Sequence, residues 1–472
     1  MPDQSRPDRP KTRQESRGIG KAARQRVPRG SHGEWQPAAD RPDPISILQA
    51  QDDGRIKHLL PIKYGRMLES PFAFLRGSAA VMSADLAGTP VTGMEVVLCG
   101  DAHLSNFGVF ATPERQLVFD INDFDETYPG PWEWDLKRLA ASAVVAGREN
   151  GFKDEFCREM AVDVVYAYRK ATEGFARMNT LDVWYYHIDT ADVLEVFGRT
   201  SKRSKKSAEK MLKKARRKTH QQTMEKLTGF DGIRRRIISD PPLLVPVSEM
   251  GIEKRFTKEE LRQISEKAVE SNWSQYLESL PDERRFLLQR YKIVDAALRV
   301  GGIGSVGTRC IIVLLDGGAE DDALILQLKE AGPSVLEPYF RTHSYECHGQ
   351  RVVTGQRLMQ AASDIFLGWH TSLLSDRDFY WRQLKDMKGS ADIPDMDEAS
   401  MRTYLGVCSL CLASAHARTG DEARIWGYIG RSDRFAEAVG DFAVAYADQT
   451  ERDYDALVKA VKSDRVPAET GI

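Results

Sequence analysis

The sequence predicts an α+β chain of two lobes, with helices first, a small β-rich segment late and helices again at the end. Amphipathic helical patterns dominate residues 46–290 and 396–472. Between them, residues 291–395 carry short runs rich in β-branched residues, separated by glycine turns. A chain of 472 residues is also longer than one hydrophobic core normally holds. These three observations together predict the two lobes.

Composition indicates a globular protein and names no partner by charge. Lys and Arg number 67 against 69 Asp and Glu, and hydrophobic residues make up 42% of the chain. The six cysteines follow no regular spacing, which favours a reducing compartment over a disulfide framework. Because no run has the length of a membrane span and no secretory signal is recognisable, we expect a cytoplasmic protein. We expect neither a membrane nor a nucleic-acid partner, and the oligomeric state stays open.

Two segments have unusual composition. Residues 1–45 are rich in Arg, Pro, Asp, Gly and Gln, and we expect them to form a disordered tail. Residues 199–220 carry eleven basic residues and one acid. This basic run is either a solvated helix face or exposed insertion, or a surface for phosphate, nucleic acid or an acidic partner.

The early part of the chain predicts a helix, a strand, a hairpin and a second helix. Residues 70–87 have helical spacing and a capping residue in Ser70. Residues 94–103 read as a buried strand that runs into a loop. FGVF and LVFD flank a turn at Pro113 and predict a hairpin, and residues 131–150 predict a strongly amphipathic helix.

The late part predicts the small sheet. Residues 299–331 read as strand, glycine turn, strand, hairpin and strand, and residues 378–387 add a further strand. The pattern returns to helix over residues 400–472. These late strands form the predicted β-rich lobe of residues 291–395.

Acidic groups crowd around the predicted hairpin. CGDAHLSNFGVF places Asp101 directly after the first strand and Asn106 five residues later. FDINDFDE then brings four carboxylates back beside them. In phosphoryl transfer one carboxylate orients the attacking hydroxyl, while an asparagine and another carboxylate hold magnesium against the phosphates. Protein kinases have the same five-residue spacing between base and asparagine, although a capping turn or a solvent-facing acidic turn would also account for these residues.

Three stretches, GDAHLSN, LVFDINDFDE and GPWEWDLKRLA, resemble the catalytic segment of the aminoglycoside and choline phosphotransferases, in the protein-kinase-like superfamily. The resemblance implies that Asp101 is the catalytic aspartate and Asn106 a magnesium ligand. It also implies that Asp135, on the following helix, supports the loop. Cys99 stands where those families usually carry a histidine, which is a departure from their pattern.

The second metal ligand is ambiguous. Asp120 matches the position of the metal-binding aspartate in those families by hairpin length, whereas Asp123 matches it by the local sequence DFDE. We favour Asp123 and keep Asp120 as the alternative or as a ligand of a second ion. Asp125 and Glu126 are weaker candidates.

A glycine-rich turn and a lysine form the second cluster. The GxGxxG pattern of Gly302, Gly304 and Gly307 leads into a strand-like run, as in kinases, where backbone N–H groups cover the phosphates. Lys329 lies on the next strand, where a kinase lysine pairs with the α and β phosphates and with a helix glutamate. The glutamate candidates are Glu337, our first choice, then Glu330 and Glu346.

The order of the two clusters is reversed relative to ordinary kinases. There the glycine loop and lysine precede the catalytic loop, whereas here the catalytic loop comes first. We therefore expect a circularly permuted two-lobed protein-kinase-like fold. In the alternative, the second cluster is coincidental and residues 46–95 form the small lobe, but these residues read as helical.

Several longer stretches of the sequence resemble a bacterial domain-of-unknown-function family, number 2252. SPFAFLRG, GDAHLSNFG, NDFDE, WEWDLKRLAAS and FYWRQLKDMK are among the stretches that carry it, and they span about residues 55–455. We expect an ATP- and magnesium-dependent phosphotransferase that acts on an unknown small-molecule or protein hydroxyl. A nucleotide-binding pseudokinase without turnover is the alternative. A metal-dependent phosphoesterase fits less well because the chain lacks the further histidine motifs of that class.

Overall fold

The protein is a mixed α+β chain, and the computed structural model describes residues 12–232, 234–250, 269–319, 322–341, 345–373, 375–384 and 387–472. The α-helices are α1 Arg13–Arg26, α2 Pro44–Ala50, α3 Leu60–Met67, α4 Pro71–Gly77, α5 Ala79–Leu86, α6 Glu133–Glu149, α7 Asp154–Phe175, α8 Thr180–Tyr185, α9 Thr190–Thr200, α10 Lys202–Arg217, α11 His220–Leu227, α12 269–278, α13 Asp282–Leu288, α14 His348–Met359, α15 Glu398–Thr419, α16 Glu422–Ile429 and α17 Arg434–Lys462.

The strands belong to four sheets. Two of the sheets have two strands each, β1 with β4 and β6 with β7, and the other two follow the orders β14-β2-β3-β5 and β12-β13-β11-β10-β9-β8. The strands are β1 Glu95–Leu98, β2 Phe107–Ala111, β3 Leu117–Ile121, β4 Tyr128–Pro131, β5 Ile188–Asp189, β6 Thr228–Phe230, β7 Arg235–Ile237, β8 Leu244–Pro246, β9 Lys292–Arg299, β10 Cys310–Asp316, β11 Ala323–Ala331, β12 Gly368–Thr371, β13 Asp378–Gln383 and β14 Gly389–Ser390.

The main hydrophobic core lies among the long helices α6, α7, α15 and α17, which pack on one another. Helix α6 begins with Glu133 and Asp135 in its first turn, where negative charge favours the helix dipole. The predicted helix of residues 131–150 is therefore confirmed, as is the predicted hairpin, whose strands β2 and β3 pair antiparallel.

The helix predicted over residues 70–87 is divided into α4 and α5. The Ser70 side chain accepts a hydrogen bond from the Ala73 N–H at 3.1 Å, which is the expected cap. Ser78 separates the two helices, with φ −120° and ψ 36°. The break places the last turn of α4 beside the glycine turn of residues 301–305.

The late segment forms the predicted strand, glycine turn and strand. β9, β10 and β11 are consecutive antiparallel strands, and β13 pairs with β11 on the far side. The run CIIVLLD of β10 is buried along almost its whole length, as its isoleucines and valine favour. Helix α14 connects β11 to β12 and packs against both β12 and β13.

The predicted disordered tail is wrong for the described residues 12–45. Thr12 and Glu15 form a capping box that starts α1. α1 then packs closely on α16. The two backbones are so near that a Cβ on Gly20 would lie 2.0 Å from the Arg424 carbonyl oxygen. Composition did not reveal this segment because its stability comes from docking and not from large apolar residues. Residues 1–11 of the predicted tail lie outside the described residues.

The predicted lobe boundaries at residues 291 and 395 also need correction. β8, from the earlier segment, is the edge strand of the six-stranded sheet, and Tyr276 of α12 packs into the apolar cluster on that sheet. At the other end, β14 pairs with β2, beside the loop that carries Asp101 and Asn106. Chain order does not separate the two parts as the sequence suggested, because single strands cross between them.

The basic run of residues 199–220 contains helix α10. Its buried stripe consists of Ser204, Ala208, Leu212 and Ala215, so the basic side chains occupy the remaining faces. Gly389 of β14 lies against Ala215, which fixes α10 beneath the hairpin sheet. The run is therefore an amphipathic helix of the folded body, and both interpretations of its basic faces stay open.

All six cysteines are free, and Cys408 and Cys411 are buried within α15. In the part of the chain that the structure describes, no helix combines the length and apolarity that a membrane crossing requires.

Candidate functional site

The loop between β1 and β2 carries the candidate catalytic residues and is tied down from α6. The Asp135 carboxylate accepts the Cys99 N–H at 2.7 Å and the Gly100 N–H at 3.0 Å. Gly100 has φ +80°, and a Cβ there would lie 2.3 Å from the Glu126 carbonyl oxygen, so glycine is required. The support of the loop by Asp135, which the resemblance implied, is confirmed.

Asp101 follows this turn and is held by an arginine. The Arg138 Nε donates to Asp101 Oδ1 at 2.6 Å, and Arg138 also donates to the Leu75 carbonyl. His103 Nε2 lies 3.5 Å from Asp101 Oδ2. Burial, opposed by Asp101, lowers the pKa of His103 to about 4, so the imidazole is neutral at pH 7. One oxygen of Asp101 is therefore fixed, while the side chain lines a cleft.

Asn106 is oriented by its amide nitrogen. Nδ2 donates to the carbonyls of Asp101 and Asp123, both at 3.1 Å. Because the nitrogen is committed to these carbonyls, the side-chain oxygen is the atom that remains for a cation. Asn106 is buried, and it lines the same cleft as Asp101.

The structure separates the two candidate metal aspartates. Asp123 lines the cleft, whereas Asp120 lies on the other side of the hairpin, where Cys411 of α15 donates to its Oδ1 at 3.2 Å. Burial raises the pKa of Asp120 to about 6. Burial also acts to raise the pKa of Asp123, but Lys329 and, less strongly, Arg382 outweigh it and lower that pKa below its ordinary value.

Lys329 is buried on β11 and faces the acidic hairpin. Its Nζ lies 2.5 Å from Asp125 Oδ2 and 3.7 Å from Asp123 Oδ1. Tyr380 donates to the other oxygen of Asp125 at 2.6 Å. The predicted third-strand lysine thus meets the DFDE segment across the cleft, although the two lie far apart in the sequence.

The structure does not pair Lys329 with Glu337, so this prediction is corrected. The Glu337 carboxylate lies 3.4 Å from His348 Nδ1 and 3.9 Å from Arg351 Nε, both on α14. The fallback Glu330 pairs with Arg309 and Arg377 instead. Lys329 does not pair with a helix glutamate, because α14, which follows β11, carries no Asp or Glu. The acids that face Lys329 come from the DFDE segment instead. The main chain of the second fallback, Glu346, is bound by the Gln350 side chain.

The glycine turn covers one side of the cleft. Gly302 and Gly304 line it, and a Cβ on Gly302 would meet no atom within 4 Å. Gly307 does not line the cleft; it has φ +87°, and its carbonyl accepts the Ile56 N–H at 2.7 Å. The first two glycines therefore face the opening and the third shapes the turn.

The cleft has a volume of about 690 Å³ and lies between the candidate catalytic loop, the acidic hairpin and the six-stranded sheet. Its charged lining residues were partly missed by sequence reasoning, because scattered arginines form no motif. Arg76, which the sequence offered as an ion-pair partner of the carboxylates, also lines the cleft, and its Nε is buried without a hydrogen-bond partner near Asp101. The charged residues that sequence reasoning did not propose for the cleft are Arg55, Arg115, Arg299, Asp364, Arg382 and Lys388.

The residues fit a magnesium ion bound partly by phosphates. Asp123 Oδ1 is buried without a hydrogen-bond partner, and the Asn106 side-chain oxygen lies in the same cleft. Among the described residues, no group of three or more His, Cys, Asp and Glu is arranged to hold a metal ion. Magnesium usually takes one or two carboxylates and keeps water or phosphate oxygens for the rest, so two protein ligands suffice.

The fold and the cleft define a mixed α+β protein in which an acidic loop, a glycine turn and a buried lysine share one opening. A family model described as "Uncharacterized protein conserved in bacteria (DUF2252)" matches residues 55–460. Because the match covers most of the chain, the protein belongs to this bacterial family. No curated protein and no solved structure gives a significant match.

Proposed function

We propose that this protein is an ATP- and magnesium-dependent phosphotransferase. The observation that supports it is the convergence of Asp101, Asn106, Asp123, Gly302 and Lys329 on one cleft from distant parts of the chain. These are the residue types that phosphoryl transfer requires for orienting the acceptor, holding the metal and holding the phosphates.

In this proposal the chain mainly positions the reactants. Asp101, with one oxygen held by Arg138, accepts the proton of the acceptor hydroxyl at its other oxygen. The acceptor oxygen bonds to the terminal phosphorus of ATP as the bond from that phosphorus to the bridging oxygen breaks. The products are a phosphorylated acceptor and ADP. Lys329 holds phosphate oxygens and exchanges its contacts with Asp125 and Asp123 for them.

Asn106 and Asp123 are the residues that would hold magnesium. When bound, the ion supplies positive charge that offsets the charge of the phosphates. The buried Asp123 Oδ1 then gains a direct ligand, where the protein provides only the ion pair with Lys329 at 3.7 Å and no hydrogen bond.

We also propose that the fold is a circularly permuted kinase-like one. The order β9, β10, β11, α14, β12 and β13 gives strand, glycine turn, strand, lysine strand, helix and two further strands. The catalytic loop, hairpin and α6 come earlier in the chain and face this sheet across the cleft. Two of the expected kinase features differ, since α14 carries no glutamate and β8 extends the sheet.

The alternative is a nucleotide-binding module without turnover. It is favoured by the ion pairs that occupy both catalytic carboxylates, Arg138 with Asp101 and Lys329 with Asp123. A lysine held by two aspartates requires a ligand that displaces them before it can bind phosphate.

The test is magnesium-dependent ATP binding and hydrolysis by the purified protein. We expect Asp101→Asn to lower turnover about 100- to 10,000-fold while ATP still binds. Asp123→Asn should weaken the magnesium dependence of binding, whereas Asp120→Asn should not. Asp282→Asn, at a 94% exposed carboxylate, is the matched control for losing one acid.

Binding without hydrolysis, with a panel of acceptor alcohols present, would favour the module without turnover. A loss of magnesium dependence in Asp120→Asn alone would reverse the assignment of the metal ligand. No ATP binding by the wild-type protein would overturn both functions.

A further inference from the structure

Three cations lie on neighbouring strands of the sheet face that lines the cleft. Lys329 of β11 pairs with Cys310 of β10 on one side and with Tyr380 of β13 on the other. Leu298 pairs with Ile311, which sets Arg299 of β9 beside Cys310 in the same row.

Arg382 completes this set one step along the sheet. It lies opposite Gln327, two residues from Lys329, and its Nε donates to Gln327 Oε1 at 2.8 Å. Because side chains alternate across a strand, Gln327 and Lys329 share a face, as do Tyr380 and Arg382. We call Arg299, Lys329 and Arg382 the cationic row.

Arg299 lacks a counter-charge. Within the described part of the chain it has no hydrogen-bond or ion-pair partner. Burial lowers its pKa, and the neighbouring charge of Arg382 lowers it further. A largely buried arginine beside a second cation is stable next to an anion and costly without one.

The acids of the cleft act on Lys329 and Arg382 but not on Arg299. Asp125 and Asp123 pair with Lys329, and Asp101 pairs with Arg138. Arg299 is the last residue of β9, and the glycine turn that lines the cleft follows it directly. A chain of phosphates has the extended negative charge that three adjacent cations and free backbone N–H groups accommodate.

We propose that the cationic row is an oligophosphate-binding site, in which Arg299 and Arg382 hold the phosphate chain of the nucleotide together with Lys329. This inference rests on the proposed function and deepens it, because it assigns phosphate recognition to two arginines in addition to the lysine and the glycine turn.

The experiment measures the affinity of the full-length protein for MgATP, inorganic triphosphate and adenosine by calorimetry. We expect Arg299→Met and Arg382→Met each to weaken MgATP and triphosphate binding about 10- to 100-fold, because each removes a charge-assisted contact. Adenosine binding should be unchanged. Triphosphate binding equal to that of MgATP would show that the site recognises the phosphate chain alone, and tighter MgATP binding would show that the nucleoside also contributes.

Two further variants separate charge from folding. Arg299→Lys and Arg382→Lys keep the charge and should retain most of the affinity. Arg309→Met is the matched control, since Arg309 adjoins β10 but pairs with Glu330 at 3.1 Å and does not line the cleft. It should bind MgATP as the wild type does.

Equal losses for adenosine and MgATP, or no loss for either, would overturn the inference. If Arg299→Met and Arg382→Met both turn over ATP and bind MgATP as tightly as the wild type, the inference is wrong but the proposed function is unaffected. Arginine-dependent binding of triphosphate without turnover would support the inference and count against the phosphotransferase.

Discussion

Asp135 determines the geometry of the candidate catalytic loop from outside the cleft. It is buried, and its two oxygens accept two consecutive backbone N–H groups while His416 lies 3.3 Å away. An amide side chain offers one acceptor in place of two. The replacement of one oxygen by a donor therefore turns a hydrogen bond into a repulsive contact.

We accordingly expect Asp135→Asn to lower the free energy of unfolding by roughly 1–3 kcal/mol. Hydrolysis by the remaining folded protein should also fall, because Asp101 follows the released backbone directly. Urea unfolding and turnover per folded molecule are the measurements.

Glu133→Gln is the control, since Glu133 is buried on the same helix and binds the Thr92 N–H, away from the loop. It should alter stability without altering turnover. Unchanged turnover in Asp135→Asn would contradict a positioning role for Asp135.

At the scale of elements, the contact between α1 and α16 depends on small residues. A Cβ on Gly20 would meet the Arg424 carbonyl, and one on Gly427 would lie 2.3 Å from the Arg17 carbonyl. Arg24 adds hydrogen bonds to the carbonyls of Gly427 and Tyr428 at the end of α16. The two backbones approach closely because neither glycine has a side chain at the contact.

We expect Gly20→Ala to release the N-terminal segment, because its methyl group would collide with backbone that has no room to move. Limited proteolysis should then cleave near α1 while the remainder of the protein stays resistant. Gly18→Ala on the same helix has no atom within 4 Å of the new methyl group and should slow cleavage, since alanine favours helix by about 1 kcal/mol. Equal cleavage of the two variants would be evidence against the close contact.

At the scale of the whole molecule, three buried histidines link stability to pH. Burial lowers the pKa of His32 to about 3 and those of His103 and His370 to about 4. The unfolded chain takes up these protons near pH 6.5, whereas the folded protein does not. Between pH 6.5 and 4 the unfolded state therefore binds more protons at these three sites, and their contribution to stability falls as the pH falls. Asp120 and Glu126 act in the opposite direction, because burial raises the pKa of these carboxyls to about 6 and about 7.

We expect the free energy of unfolding to decrease by up to about 1.4 kcal/mol per pH unit for each of these histidines in that window. Urea titrations at pH 6.5, 5.5 and 5.0 measure the slope. His370→Gln should flatten it, and His58→Gln, at an exposed site, should leave it unchanged. A slope that does not respond to His370→Gln would contradict the assignment.

The relation between the two halves of the molecule also belongs to this scale. The cleft lies where the candidate catalytic loop faces the six-stranded sheet. β8 belongs to the earlier chain segment but pairs with β9 of the later one, and β14 of the later segment pairs with β2 of the earlier one. A boundary drawn from sequence at residue 291 cannot capture such crossings, because a three-residue edge strand carries almost no periodic signal.

The sequence by itself determined what depends on neighbours in the chain. The Ser70 cap, the β2–β3 hairpin, the strand–glycine–strand order and the loop that carries Asp101 all follow from local spacing and backbone preference. Tertiary structure alone decided what depends on distant partners. It placed Asp123 in the cleft and Asp120 behind it, and it paired Lys329 with Asp125 in place of Glu337. It also docked α1 and aligned Arg299 with Arg382, because contacts between residues far apart in the chain leave no periodicity in the sequence.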